Sequence, residues 1–162
     1  MANSDIHLKL GDIKSESTDD KHKDEIDVES YSWGASNPGS MSHGGGGGTG
    51  KVSFSDLHFV HKVDKASPNL WKACATLEHI KEATLTSTKQ GKGPQDFLIV
   101  KMNDVIITSV SITESNGTGS VPMEQVSLQC AKVDMEYKPQ KPDGSLDAGV
   151  HFVYDIKAGK EG

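Results

Sequence analysis

Apolar and polar residues alternate along much of the chain, which is typical of half-buried β-strands. The first such segment places Ile6, Leu8 and Leu10 on one face. Further strands are predicted over 83–89, 96–102, 104–113, 124–137 and 150–157. In the last of these strands the alternation predicts an inward face of Val150, Phe152, Tyr154 and Ile156. The predicted outward face consists of His151, Asp155 and Lys157.

Two of the predicted strands change phase along their length. The segment 25–35 switches faces between Val28 and Tyr31, which predicts a bulge or bend near residues 29 and 30. The segment 51–63 switches at Asp56. We therefore expect each of these segments to be divided rather than to form one continuous strand.

One segment has the spacing of a helix instead. Ser67 is predicted as its N-cap and Pro68 as its first helical residue, where the missing N–H does no harm. The apolar stripe that follows predicts an amphipathic helix ending near His79, and it consists of Leu70, Ala73, Cys74 and Leu77. This helix is expected to pack on the side of a sheet.

Many short strands, one helix and no alternation of strands with helices predict a mainly β fold. We expect a small antiparallel β-barrel or sandwich of two sheets, with the α-helix packed alongside. Turn residues separate the strands at 91–94, at 116–117 and at 142–144. The 162 residues are predicted to form one domain, residues 1–162, with an extended glycine-rich loop at 37–51.

The segment 37–51 reads NPGSMSHGGGGGTGK and interrupts the strand pattern. Because glycine loses more backbone freedom on ordering than any other residue, a long glycine loop within a compact domain requires a reason. Either it binds a phosphate or another protein chain orders it. The second interpretation is favoured, since small residues let one backbone approach another.

The phosphate-binding interpretation rests on residues 45–51, which match all but the last position of the pattern G-x-x-x-x-G-K-[S/T]. Val52 takes the place of the hydroxyl residue that would hold Mg²⁺. The residues after Lys51 alternate as a strand, whereas a phosphate-binding loop opens a helix. Nucleotide hydrolysis through Lys51 is therefore the weakest of the alternatives.

Composition narrows the compartment and the partners. A net charge of −6 and a pI near 5.6 argue against nucleic acid or an anionic membrane as a partner. The first ten residues lack the basic and apolar regions of a secretory signal, and no apolar run is long enough to span a membrane. Cys74 and Cys130 are expected to be reduced and buried, which indicates a cytoplasmic origin.

The residue types of catalysis and metal binding do not form a recognisable site. His58 and His61 are three residues apart in a strand and therefore face opposite sides, so the histidines are expected at the surface without a metal. The acidic residues of 19–27 are interleaved with basic ones, as on a solvated surface. We expect no catalytic residues, cofactor or metal, and hence no enzyme.

Several segments, taken together and in this order, resemble the haemolysin-coregulated protein (Hcp) family of the bacterial type VI secretion system. They are residues 11–14, 16–17, 25–28, 31–34, 50–52, 64–70, 105–110, 137–140 and 143–144. The resemblance covers nearly the whole chain. It implies a small β-barrel that forms hexameric rings, which stack into a hollow tube propelled by a contractile sheath behind a spike. It also implies that effectors are carried in the lumen, without cofactor or catalysis.

This resemblance gives the glycine loop a role in contacts between subunits or stacked rings. The residues predicted for that role are Pro38, Met41, His43, Gly44, Gly45, Gly46, Gly47, Gly48, Gly50 and Lys51. Ser30 and Ser32 alternate with aromatic residues and are predicted to face the lumen and contact effectors. The implied route is secretion from the cytoplasm to the outside or to a target cell without a Sec signal. The alternative is a monomeric β-sandwich that binds a sugar or peptide through a mobile glycine loop.

Overall fold

The computed structural model describes residues 5–39 and 51–162. In these two ranges the protein contains eleven β-strands and one α-helix. The strands are β1 (Asp5–Leu10), β2 (Ile26–Val28), β3 (Ser30–Ser32), β4 (Ala35–Ser36), β5 (Ser53–Phe54), β6 (Leu57–Lys62), β7 (Ile80–Gly91), β8 (Gly93–Thr113), β9 (Met123–Tyr137), β10 (Val150–Asp155) and β11 (Lys160–Glu161). The helix α1 (Ser67–Thr76) lies between β6 and β7.

The main sheet is antiparallel and is organised around the long hairpin of β8 and β9. Its strands follow the order β11-β10-β9-β8-β7-β1-β2, while β6 pairs with the first half of β9 and also with β3. The chain changes ladder partner at Glu29, since β2 pairs with β1 and β3 with β6. The segment of β2 and β3 therefore links the two sides of the barrel. A continuous ladder of backbone hydrogen bonds does not close this barrel.

This architecture confirms the predicted fold class of a mainly β barrel or sandwich with one helix alongside. It also confirms both predicted breaks, at Glu29 and between β5 and β6. The predicted strands at 96–102 and 104–113 are one strand, β8, with Asp104 in a left-handed conformation (φ 51°) where the two were expected to meet. The expected break between two strands is thus only a local irregularity in the backbone of β8.

The core lies between α1 and the inward faces of the strands. Alternation places Leu8 and Leu10 of β1 on that inner face, together with Leu57 and Phe59 of β6. Residues that are fully or almost fully buried come from every long strand except β10, and from α1. The remaining large ones are Ile26, Leu70, Leu85, Val100, Met102, Val105, Ile107, Val126, Leu128 and Val133.

The predicted inward face of the last strand is partly wrong. Tyr154 and Ile156 pack against the core, but Val150 is 69% exposed and Phe152 43%. The reason is the position of β10, which pairs only with the second half of β9 and with the two-residue β11. The first residues of β10 therefore extend past the part of the barrel that is filled.

The helix begins and ends differently from the prediction. Its N-cap is Ala66 and not Ser67, which is buried within the first turn and accepts a hydrogen bond from the N–H of Asp64 (3.1 Å). The carboxylate of Asp64 in turn accepts from the N–H of Ala66 (2.8 Å). At the other end, Leu77 adopts a left-handed conformation and is exposed, so the helix stops at Thr76 rather than near His79.

Candidate functional site

The glycine-rich segment leaves the barrel on a short two-stranded ribbon. Strand β4 pairs with β5, and two hydrogen bonds join Gly34 and Ser55. The N–H of Ser55 donates to the carbonyl of Gly34 (2.9 Å), and the N–H of Gly34 donates to the hydroxyl oxygen of Ser55 (3.0 Å). The indole N–H of Trp33 also donates to the carbonyl of Ser55 (2.7 Å). Both ends of the segment are therefore fixed at its base.

Two of the residues predicted for the loop contact lie in the described part of the chain. Pro38 and Lys51 are exposed, one on each side of the ribbon. The chain continues from Lys51 into the strand β5 and not into a helix, as the alternation predicted. The other predicted residues lie outside the described residues, and they are Met41, His43, Gly44, Gly45, Gly46, Gly47, Gly48 and Gly50.

An apolar groove with a volume of about 640 Å³ opens next to this ribbon. Its aromatic wall is a chain of ring contacts, with centroids 5.9 Å apart between Trp33 and Phe54, 5.6 Å between Phe54 and Tyr154, and 5.9 Å between Phe152 and Tyr154. The exposed part of β10 continues this apolar surface. Alternation along the chain does not reveal this groove, because it places the apolar residues of β10 in the core.

The two serines predicted to contact effectors lie on the outer face of the sheet. Ser30 and Ser32 are exposed, and Tyr31 between them packs against the core, as the alternation predicted. Ser32 is paired with His58 of β6, whose Nδ1 is 2.5 Å from the hydroxyl of Ser127. This part of the outer face is therefore polar.

Under α1 the structure buries a charged network that sequence reasoning missed. His61 is fully buried, and its Nε2 lies 2.7 Å from Oε1 of Glu124, which is also fully buried. The indole N–H of Trp71 donates to the other Glu124 oxygen (2.6 Å), and His61 Nδ1 lies 3.3 Å from Asp64. Ser15 donates to the same Asp64 carboxylate (2.5 Å). One network thus joins β6, β9, α1 and the loop after β1.

The charged forms of His61 and Asp64 stabilise each other in this network. Burial opposes the charged form of His61, but hydrogen bonds to Asp64 and Glu124 outweigh it and raise its pKa. Burial likewise opposes ionisation of Asp64, yet the hydrogen bonds from His61 and Ser15 lower its pKa. The alternation contained the signal for this network, because His61 is in phase with Leu57 and Phe59.

A second buried group covers the outer face of β1. The rings of His7 and His22 are stacked with centroids 4.8 Å apart, and His22 lies 3.1 Å from both Glu25 and Asp96. Burial opposes the charged form of His22, but the Asp96 and Glu25 carboxylates raise its pKa. The expectation that the histidines lie at the surface is therefore wrong for His7, His22 and His61. The segment after β1 covers β1, which periodicity within one strand does not reveal.

Neither cysteine forms a disulfide, and both are only half-buried rather than buried as expected. Burial raises the pKa of the Cys130 thiol to about 11, so this thiol stays protonated. Within 5–39 and 51–162, no group of three or more His, Cys, Asp or Glu side chains has an arrangement that could hold a metal ion. The described part of the chain has no helix long and apolar enough to cross a bilayer.

The fold and its surfaces define a small antiparallel β-barrel protein with an apolar groove, a polar serine face and a separate two-stranded ribbon. Comparison with known proteins is consistent with this class and narrows it. The chain belongs to the Hcp family of type VI secretion proteins, since the family model described as type VI secretion system effector, Hcp, matches residues 7–137.

Individual relatives agree with this assignment over nearly their whole length. The chain is 45% identical over 155 residues to protein hcp1 of Pseudomonas aeruginosa, an alignment that covers 94% of this chain and 95% of that protein. A solved structure of a type six secretion system protein superposes with a TM-score of 0.92 at 29% identity, covering 99% of this chain and 100% of the other. Hcp1 of Salmonella typhimurium has a TM-score of 0.80 at 39% identity, with 99% of both chains covered.

Proposed function

We propose that this protein is the ring-forming subunit of a type VI secretion tube, that its rings stack, and that their lumen carries effectors. The observation that carries the proposal is the family match over residues 7–137. The role is structural and requires no catalytic residue, cofactor or metal. Hexameric rings are the expected assembly, with a spike protein at the tip, a contractile sheath outside, and no part for nucleic acid or membrane insertion.

The exposed apolar surface supports assembly. Val150, Phe152 and Tyr137 are 69%, 43% and 46% exposed, and they lie on the paired strands β10 and β9. A contiguous apolar surface of this kind on a soluble protein marks a contact with another molecule. In a ring the neighbouring copy covers it, and a head-to-tail contact repeated by rotation closes the ring.

Native mass spectrometry and negative-stain microscopy of the purified chain test this assembly. We expect hexamers with a central hole, and short stacks at high protein concentration. A particle of one chain at every concentration and salt would contradict the proposal. The cell fraction in which the protein accumulates tests the route, which we expect to lead from the cytoplasm to the outside without a Sec signal.

The glycine loop is proposed to contact the adjacent subunit or ring through Pro38, Met41, His43, Gly44, Gly45, Gly46, Gly47, Gly48, Gly50 and Lys51. The paired ribbon of β4 and β5 supports this role, because it fixes where the loop leaves the barrel. Deleting residues 44–48 should leave the fold intact and shorten the stacks seen by light scattering. A matched control replaces the same five glycines by serines, which keeps the length. Unchanged stacking after the deletion would overturn this role.

The effector contact is proposed for Ser30 and Ser32, whose exposure leaves space for cargo on the outer face of the sheet. Replacing Ser32 by tryptophan should fill that space and lower the amount of effector protein that is recovered with the ring. Ser115→Trp, at an exposed position in the connection between β8 and β9 and outside this sheet face, is the matched control. Equal recovery with both variants would remove Ser32 from the cargo surface.

The second candidate is a monomeric β-sandwich that binds a ligand. The apolar groove favours it, because a cleft of about 640 Å³ lined by Trp33, Phe54 and Tyr154 has the size and composition of a small-molecule site. Aromatic rings of this kind stack on sugar faces. The two candidates differ in the mass of the particle that the chain forms, so the native mass that tests the ring also decides between them.

A further inference from the structure

A joint of two residues, Ser55 and Asp56, connects the ribbon of β4 and β5 to strand β6 of the main sheet. Ser55 bonds to Gly34 through its N–H and its hydroxyl oxygen, and its carbonyl accepts from the indole of Trp33. Both partners precede β4 directly along the chain. The bonds of Ser55 therefore hold the two sides of the ribbon together at its base.

The side chain of Asp56 contacts the long hairpin of β8 and β9 instead. Its Oδ2 accepts from the hydroxyl of Thr108 at 2.7 Å, and its Oδ1 accepts from the amide nitrogen of Gln129 at 2.8 Å. Continuing the register of Leu57 with Leu128 by one residue also sets Asp56 opposite Gln129. One carboxylate thus fastens the joint to both strands of the hairpin.

Strand β8 is irregular where it meets Asp56. Its ladder with β9 shifts register between Ile107 and Ser109, so Thr108 is the extra residue of a bulge. A bulge bends a strand locally and re-aims a side chain. Here the re-aimed residue is the one whose hydroxyl donates to Asp56. The change of phase within 51–63 and the bulge of β8 therefore meet in one hydrogen bond.

Apolar contacts also join the ribbon to the barrel, but they constrain its direction less. The ring centroid of Phe54 lies 5.9 Å from that of Trp33 and 5.6 Å from that of Tyr154. Burial of apolar area is non-directional, so these contacts keep the ribbon close without fixing its angle. Hydrogen bonds weaken steeply when they are bent. A carboxylate that accepts on both oxygens therefore resists rotation about the joint.

We propose that Asp56 is the positioning residue of the ribbon. Its carboxylate sets the angle at which β4 and β5 leave the barrel, and hence where the glycine-rich loop meets a second copy of this chain. This inference rests on the proposed function and deepens the contact proposed for the loop. Asp56 acts on that contact through the ribbon, so it need not touch the neighbouring copy.

A set of variants isolates the two hydrogen bonds. Asp56→Ala removes both acceptor oxygens. Asp56→Asn keeps an acceptor for Thr108, and its amide can donate to Gln129, because the exposed amide of Gln129 is free to turn over. Thr108→Val combined with Gln129→Met removes both donors and leaves the carboxylate in place. Asp143→Ala is the matched control, since the Asp143 carboxylate also accepts two hydrogen bonds, both from Ser145.

The distance between the ribbon and the sheet reports the angle directly. Nitroxide labels on unnatural side chains at Ser36 of β4 and Lys101 of β8, which are both exposed, leave Cys74 and Cys130 unmodified. An excess of unlabelled chains restricts electron–electron double resonance to distances within one copy. We expect one narrow distance in the parent, the control and Asp56→Asn. The distribution should broaden and shift in Asp56→Ala and in the variant without donors. A merely structural role would lower stability and leave it narrow.

The length of the stacks tests the consequence for assembly. Rings should form in every variant, while light scattering should show stacks shortened in Asp56→Ala and restored in Asp56→Asn. A narrow, unshifted distance in Asp56→Ala overturns this inference and leaves the proposed rings intact. A broadened distance with stacks of parent length also overturns it, because the angle would then not govern the contact. A parent chain that never forms rings defeats the proposed function itself.

Discussion

The region beneath α1 buries polar groups, whereas the region around β10 exposes apolar ones. The first buries a histidine and a glutamate completely and gives each a hydrogen-bond partner. The second leaves a valine and a phenylalanine exposed to water, at 69% and 43%. Buried charges are tolerated only when they are paired, so the first region is complete in one copy. The second region exposes apolar area that a neighbouring copy would cover in the proposed ring.

This contrast distinguishes residues that stabilise the fold from residues that we propose for assembly. The network of His61, Glu124, Asp64 and Trp71 connects four parts of the chain through hydrogen bonds within one copy. The surface of Val150 and Phe152 connects little within the chain, since these residues lie at the start of β10 beyond the filled core. Substitutions in the two regions should therefore affect different measurements.

The largest effect on stability is expected at His61. His61→Leu leaves the Glu124 carboxylate buried without its main partner, which should lower the free energy of unfolding by about 3–5 kcal/mol. Urea denaturation at neutral pH measures the change. His79→Leu, an exposed histidine after α1, should change it by less than about 0.5 kcal/mol.

A double variant sharpens this prediction. His61→Leu with Glu124→Met removes both charges and fills the space with apolar atoms, so it should recover part of the loss. If His61→Leu alone costs less than about 1 kcal/mol, a value typical of an ordinary hydrogen bond, the buried pair does not hold α1 on the barrel.

The next effect follows from protonation of the same network. The pKa of His61 is raised above its ordinary value of 6.5, so its stabilisation is complete below pH 6.5 and is lost as the pH rises through the raised pKa. The pKa of Asp64 is lowered below 3.8, so its stabilisation is present above pH 3.8 and is lost as the pH falls through the lowered value. His22 and Asp96 shift in the same directions.

The contribution of these four groups to the free energy of unfolding should therefore be greatest between pH 3.8 and 6.5. It should decline as the pH rises above this range. The effect is smaller than that of His61→Leu, because a neutral imidazole still donates one hydrogen bond. Urea midpoints measured from pH 4 to pH 9 test this. The alkaline decline should be shallower in the His61→Leu variant, and a midpoint that rises above pH 6.5 would contradict the assignment.

Substitution of Ser67 is expected to cause a smaller loss of stability. It shows whether Ser67 acts as the N-cap of α1 or as a buried hydrogen-bond acceptor. Ser67→Ala removes the acceptor for the N–H of Asp64 and should cost about 1 kcal/mol. An N-cap serine would give the same loss with alanine but would tolerate aspartate. Because Ser67 is 3% exposed, Ser67→Asp should be more destabilising than Ser67→Ala. Thermal unfolding of the two variants distinguishes these explanations.

The fold could be predicted from the sequence wherever the signal was local. The breaks at Glu29 and Asp56 appear as changes of phase, and the single helix appears as a change of period. The partners of His61 and His7 could not be read in this way. Glu124 is 63 residues from His61, and the segment that covers His7 has no periodicity of its own. The start of β10 was misassigned for a related reason, since alternation indicates which residues share a face but not whether the sheet has a filled core beneath that face.

The smallest effect on stability, combined with a large effect on association, is expected at Val150. This residue is 69% exposed, so Val150→Lys should change the free energy of unfolding by no more than about 0.5 kcal/mol. A lysine on an exposed strand nevertheless opposes contact with another chain, because its charge would have to be buried there. Sedimentation velocity should show smaller particles than for the parent protein.

Val121→Lys makes the same change at a residue that is 47% exposed in the β8–β9 connection, and it should leave the particle size unchanged. Equal association of both variants would show that β10 is not a contact surface, and the contrast with the region beneath α1 would then concern stability alone.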